Sequence, residues 1–103
     1  MANTVSGSVP NGFVIGETRY TEFEMREANM EDMFEAETGA GVDTPLAFQA
    51  ELMARQLVRV STKDRADVFE GPFVRAMFNK LKPSDYRALR AKQVELDKLG
   101  EDE

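Results

Sequence analysis

The chain has 103 residues with 13 basic and 19 acidic side chains, a formal charge of −6, and no cysteine, histidine or tryptophan. Without cysteine there is no disulfide framework. Without cysteine and histidine together, the usual zinc and copper sites and Ser–His or Cys–His catalysis are excluded. A chain of this size suits one domain burying roughly 60–65% of the surface it exposes when unfolded, and its acidity argues against holding a phosphate backbone.

Charge is unevenly placed: residues 1–52 carry ten acids and two bases, residues 53–100 six acids and eleven bases, and Glu101-Asp102-Glu103 is an acidic tail. The two halves could pair within one chain or between copies. No apolar run is long enough to span a membrane. The start, MANTVSGSVPNG, lacks the basic region and apolar core of a secretory signal, so a cytoplasmic location is expected.

Residues 1–12 are small and polar and read as a flexible arm ending in a turn at Pro10-Asn11-Gly12. Phe13-Val14-Ile15 suits a strand, Gly16-Glu17-Thr18 a turn, and residues 19–26 a second strand, so a hairpin is expected over 13–26. In the second strand Thr21, Phe23 and Met25 alternate with Glu22, Glu24 and Arg26, the period of a sheet with one wet face. After Asn29 the period becomes helical: Met30, Met33, Phe34 and Glu37 follow a three-and-four step, which predicts one buried stripe. Asn29 is a good N-cap, and Asp32 suits the first turn of that helix. The helix is expected to end near Thr38, stopped by Gly39-Ala40-Gly41.

Thr44-Pro45 opens a second helix predicted through Val60, with Leu46, Ala50, Met53, Leu57 and Val60 on one stripe and Gln49 and Gln56 beside it. Ser61 with Asp64 resembles a capping pair opening a short helical segment through Phe69, ended by Gly71-Pro72. Phe73, Val74, Met77, Phe78 and Leu81 cluster in the next segment. Pro83 starts a last helix with Asp85 in its first turn, Tyr86, Leu89, Lys92, Leu96 and Leu99 on one face, and Gly100 at its end. The fold expected is α+β: a mostly helical small domain over 13–100, with an N-terminal β-hairpin followed by three to four helices.

Glu31 and Glu35 stand four apart, as in carboxylate metal sites, but such sites add histidine, and the Asp/Asn ladder of a calcium loop is missing. Gly39 and Gly41 complete no phosphate-binding fingerprint. Arg87, Arg90, Lys92 and Lys98 are interrupted by Glu95 and Asp97, which is ordinary surface pairing. No catalytic, cofactor-binding or metal residue is therefore assigned. Seven Phe and six Met against two Tyr remain as the unusual feature. They fit either core or an adaptable groove for a partner helix.

Three stretches, FEMREANMEDMFEAE, AFQAELMARQLVRV and LKPSDYRALRAKQVELD, resemble the small tail assembly chaperones of long-tailed bacteriophages in the Mu-like and P2-like groups. The likeness runs over about residues 19–97. It lies in a strand ending on an Arg-Glu step before an acidic helix, a central helix with an Ala-Arg-Gln core, and the spacing Leu81, Asp85, Tyr86, Leu89. The resemblance implies a noncatalytic protein of the host cytoplasm, absent from the mature virion. It would bind the long helical tape measure protein and keep its apolar stripes soluble until tail tube subunits displace it. In many such systems a ribosomal frameshift adds a longer product. The family carries no agreed ligand residues. From the side chains themselves, Met53, Leu57, Phe73, Met77 and Phe78 are the partner-binding candidates. A homo-oligomer is compatible with the charge asymmetry, and neither nucleic acid nor membrane is expected as partner. The alternatives are a connector or tail terminator of the same particles, or a small regulatory or DNA-binding adaptor.

Overall fold

The alternation around Phe23 and Met25 is realised as a strand, β2 (Thr18–Arg26), in a computed structural model describing residues 3–40 and 45–101. It pairs antiparallel with β1 (Thr4–Ile15). The chain continues through α1 (Met30–Ala40) and α2 (Pro45–Gln56) to β3 (Leu57–Ser61) and the two-residue β4 (Val68–Phe69). A single 3-10 turn (Arg75–Phe78) and α3 (Pro83–Glu101) follow. The strands form one antiparallel sheet in the order β1-β2-β3-β4.

This corrects the expected hairpin with three to four helices in three places. Residues 4–12, expected as an arm, belong to β1. Val5 and Val9 point inward while Ser6 and Ser8 face solvent, but the inward position between the valines is Gly7, so the alternation is invisible in hydropathy. The second helix stops at Gln56, and Leu57–Ser61 is a strand on β2. Leu57 and Val60 mimic a helical stripe because the β2–β3 register shifts between Met25↔Leu57 and Glu24↔Arg59. That bulge lets two residues three apart both face the core. Residues 61–69, expected as a helix, are the end of β3, a turn over 62–67 and β4: the Asp64 carboxylate accepts from Thr62 Oγ1 at 2.6 Å and from the Ala66 amide at 3.0 Å, and the Thr62 amide donates to Asp67 O. The proposed cap Thr44 and the tail residues Asp102 and Glu103 lie outside the described residues.

The core lies on one face of the sheet. Phe13, Phe23, Met25 and Val60 meet Met53 of α2 and Leu89 and Leu96 of α3, all nearly sealed from solvent. Phe13 meets Phe78 edge-on at 5.5 Å, and Phe69 meets Phe73 at 5.4 Å, favourable aromatic geometries that seat the 3-10 segment on the sheet. Gly12 has φ +91°, and a Cβ there would lie 2.5 Å from Tyr20 O, so only glycine lets the β1 irregularity close against β2.

Two buried carboxylates fix the elements to one another. Asp85, fully buried, accepts from the Asn11 amide at 2.8 Å, the Gly12 amide at 3.4 Å and the Lys82 amide at 3.1 Å, so it caps α3 and clamps the β1 irregularity. Burial pushes its carboxyl up, but these donors prevail and hold it below its ordinary 3.8. Asp32 is also held below 3.8, first by the bond from Arg26.

A carboxyl depressed in the folded state contributes stability that is complete above the unfolded value and lost as pH falls through the folded one. Stability should therefore decline below about pH 4. Asp85→Asn should cost about 1–3 kcal/mol at neutral pH, because one acceptor oxygen becomes a donor facing amides, and should flatten the acid limb. Urea titrations across pH measure both; an unchanged acid limb in the variant would contradict the clamp.

Candidate partner-binding surface

The strand-to-helix joint sets the position of the helical layer. Arg26, the last residue of β2, forks onto Asp32 with bonds of 2.8 and 2.9 Å and donates to Glu27 O and to Arg55 O at the end of α2. Asn29 and Asp32 complete a reciprocal cap, with Asp32 N to Asn29 Oδ1 at 2.9 Å and Asn29 N to Asp32 Oδ2 at 3.0 Å. The two bonds hold the start of α1 so that Asp32 faces inward.

That orientation overturns the expected buried stripe of α1. The helix buries Asp32, Ala36 and Ala40, spaced by four, against α2. Phe34 is left 64% exposed, Met30 58% and Met33 39%. Small residues decide the matter because they permit close approach of α1 to α2 at Ala36 and Ala40, which are 0% and 5% exposed. Methionine or phenylalanine on that face would push the helices apart. An apolar stripe one turn long therefore faces solvent.

A second apolar surface lies between α2, the 3-10 turn and the start of α3. It is an open groove of about 1040 Å³, walled by Leu46, Ala50, Val74, Phe78, Leu81 and Tyr86. The alanines of α2 leave room at its base. Leu46 and Val74 project from opposite sides, 59% and 52% exposed. Glu51 and Arg75 form an ion pair of 3.4 Å between α2 and the 3-10 turn, which ties the two walls together. Among the described residues no group of three or more Asp, Glu, His or Cys side chains could hold a metal ion.

The five sequence candidates separate. Met53 and Leu57 are 0% and 6% exposed and belong to the core, where no partner reaches them without unfolding. Phe73 is half-buried against Phe69. Met77 is half-buried, its Sδ accepting from the Val74 amide at 3.4 Å. Phe78 alone of the five lines the groove. Sequence reasoning missed Leu46, Val74, Met30 and Phe34 as surface. The available signal was the Ala36–Ala40 pair, a small-residue stripe competing with the larger side chains for the inner face.

Comparison with known proteins gives no match, whether to a family model, a curated protein or a solved structure.

The two kinds of apolar position should respond oppositely to charge. Met53→Asp should abolish folding, since an unpaired carboxylate would replace a sealed side chain. Phe34→Asp should change stability by no more than about 0.5 kcal/mol. Denaturant unfolding followed by circular dichroism distinguishes them; strong destabilisation by Phe34→Asp would mean the stripe is covered.

Proposed function

We propose that the protein is a noncatalytic chaperone that holds an amphipathic helical polypeptide. We propose that its client is the tape measure protein, during phage tail assembly in the host cytoplasm. The observation that carries the reading is the open apolar groove between α2, the 3-10 turn and α3. An open groove with mostly apolar walls, lined also by Glu51, Arg75, Asn79 and Lys82, suits the apolar face of an amphipathic helix with polar flanks. Leu46 and Val74 are 59% and 52% exposed, so covering them under a client contributes about 1–1.5 kcal/mol each, roughly half of a full burial. A tape measure helix with exposed apolar stripes needs such cover before it is enclosed. Support for the specific client comes from the resemblance over residues 19–97, and the net charge of −6 favours solubility of a loaded complex.

Co-expression is the direct test. The wild-type protein should keep a tape measure protein in the soluble fraction and co-purify with it. Leu46→Asp with Val74→Asp, both on exposed positions, should preserve the melting temperature within a few degrees yet lose most of the co-purified client. A folded double variant that still retains the client removes the groove from the mechanism. A client whose solubility ignores the wild-type protein removes the chaperone reading itself.

A further inference from the structure

The outward stripe of α1 is separate from the groove residues and carries its own charge pattern. α1 contains Glu31, Asp32, Glu35 and Glu37 and no basic residue. Asp32 turns inward to Arg26, and Glu35 pairs with Arg55. Glu31 and Glu37 remain on the exposed face, three residues before and three after Phe34, the positions that neighbour it on a helix. Phe34 is therefore an aromatic knob bracketed by carboxylates, with Met30 one turn away.

We propose that this stripe is a docking site for a basic amphipathic helix. The charge selects the occupant. An uncharged apolar helix would cover Met30 and Phe34 but would desolvate Glu31 and Glu37 without compensation. An acidic helix, including α1 of a second copy, would bring carboxylates against carboxylates. A helix with leucine-like residues on one face and lysines or arginines flanking them satisfies both features. Methionine, flexible and polarizable, accommodates different partner side chains, so the stripe specifies charge more strongly than shape.

The proposal rests on the polypeptide-binding reading, but not on the identity of the client. Its test uses two synthetic helical peptides with leucines on one face, one carrying lysines and the other glutamates on the opposite face. Binding to the intact protein is read by fluorescence anisotropy. The lysine peptide should bind far more tightly than the glutamate peptide, and its affinity should fall as salt rises from about 50 to about 300 mM. Met30→Ala with Phe34→Ala should weaken binding about tenfold or more. Glu31→Gln with Glu37→Gln should weaken it several-fold and flatten the salt dependence. The groove variant Leu46→Asp with Val74→Asp should bind the lysine peptide as the wild type does.

Equal binding of both peptides would overturn the proposal. So would lysine-peptide binding unaffected by Met30→Ala with Phe34→Ala, which would place the peptide in the groove or on diffuse charge. A wild-type dimer in sedimentation that dissociates in the same variant would make a second copy the occupant instead. If the lysine peptide binds through α1 while a tape measure protein gains no solubility, the client assignment falls and the α1 site stands. If the client is kept soluble but the peptide ignores α1, the site alone falls.

Discussion

One guanidinium holds the helical layer to the sheet. Arg26 ends β2, and its planar fork meets both oxygens of Asp32 at 2.8 and 2.9 Å while its remaining donors reach Glu27 O and Arg55 O. A lysine could supply charge there but not four directed bonds to three segments. The arrangement fixes the first turn of α1 and the last turn of α2 to the same strand end. The end of α2 is also where β3 begins, so the same contact sets where Leu57 enters the sheet beside Met25. Asp32 is nearly buried and Arg26 about one-third exposed, so solvent softens the pair's energy without loosening its geometry.

A second polar device orients α3. Gln56 donates to Arg26 O at 3.0 Å and accepts from Gln93 at 2.7 Å, and Arg90 in turn donates to Gln93 Oε1. Both glutamines are buried and both find partners, so the chain of bonds costs no orphaned amide. It joins β2, α2 and the middle of α3 at one level, while Asp85 joins the first turn of α3 to β1. Apolar contacts between α2 and α3 would tolerate several rotations; directional bonds at two levels select one. The groove is a consequence. With α3 held at its start and its middle and the 3-10 turn pinned by Phe13–Phe78, the first turns of α2 and α3 stay apart and nothing within the described residues fills the space between them.

Legibility in the sequence followed how local the physics was. The alternation through Phe23 and Met25, the Asn29–Asp32 cap and the Pro83 helix start depend on residues within a turn of one another, and each stands where the sequence placed it. Lys92, placed on the same face of the last helix as Leu89 and Leu96, brings its stem close to Gly7 of β1. Leu57 and Val60 misled because a bulge produces the same spacing as a helix, and only the presence of β2 alongside decides between them. In β1 the inward glycine erased the pattern. The candidate site fared worse, because whether an apolar residue is core or surface depends on which neighbour arrives first. Met53 and Leu57 looked like the rest of the apolar set, and nothing local separates them from Leu46, which sits on the same stripe but overhangs the groove.

The outward face of α1 carries a cost that its own acids offset. Three large apolar side chains on one helix face invite association between copies. Inverting the helix would hide them but would remove Asp32 from Arg26 and open the close α1–α2 contact at Ala36 and Ala40. The joint therefore enforces the exposure. Glu31 and Glu37 then decide what the exposure can do. They repel a second α1 and leave the stripe available to a chain of opposite charge. An apolar surface that is structurally obligatory and electrostatically guarded differs from an ordinary scatter of surface methionines, because the interaction that stabilises the fold is the one that keeps the surface open.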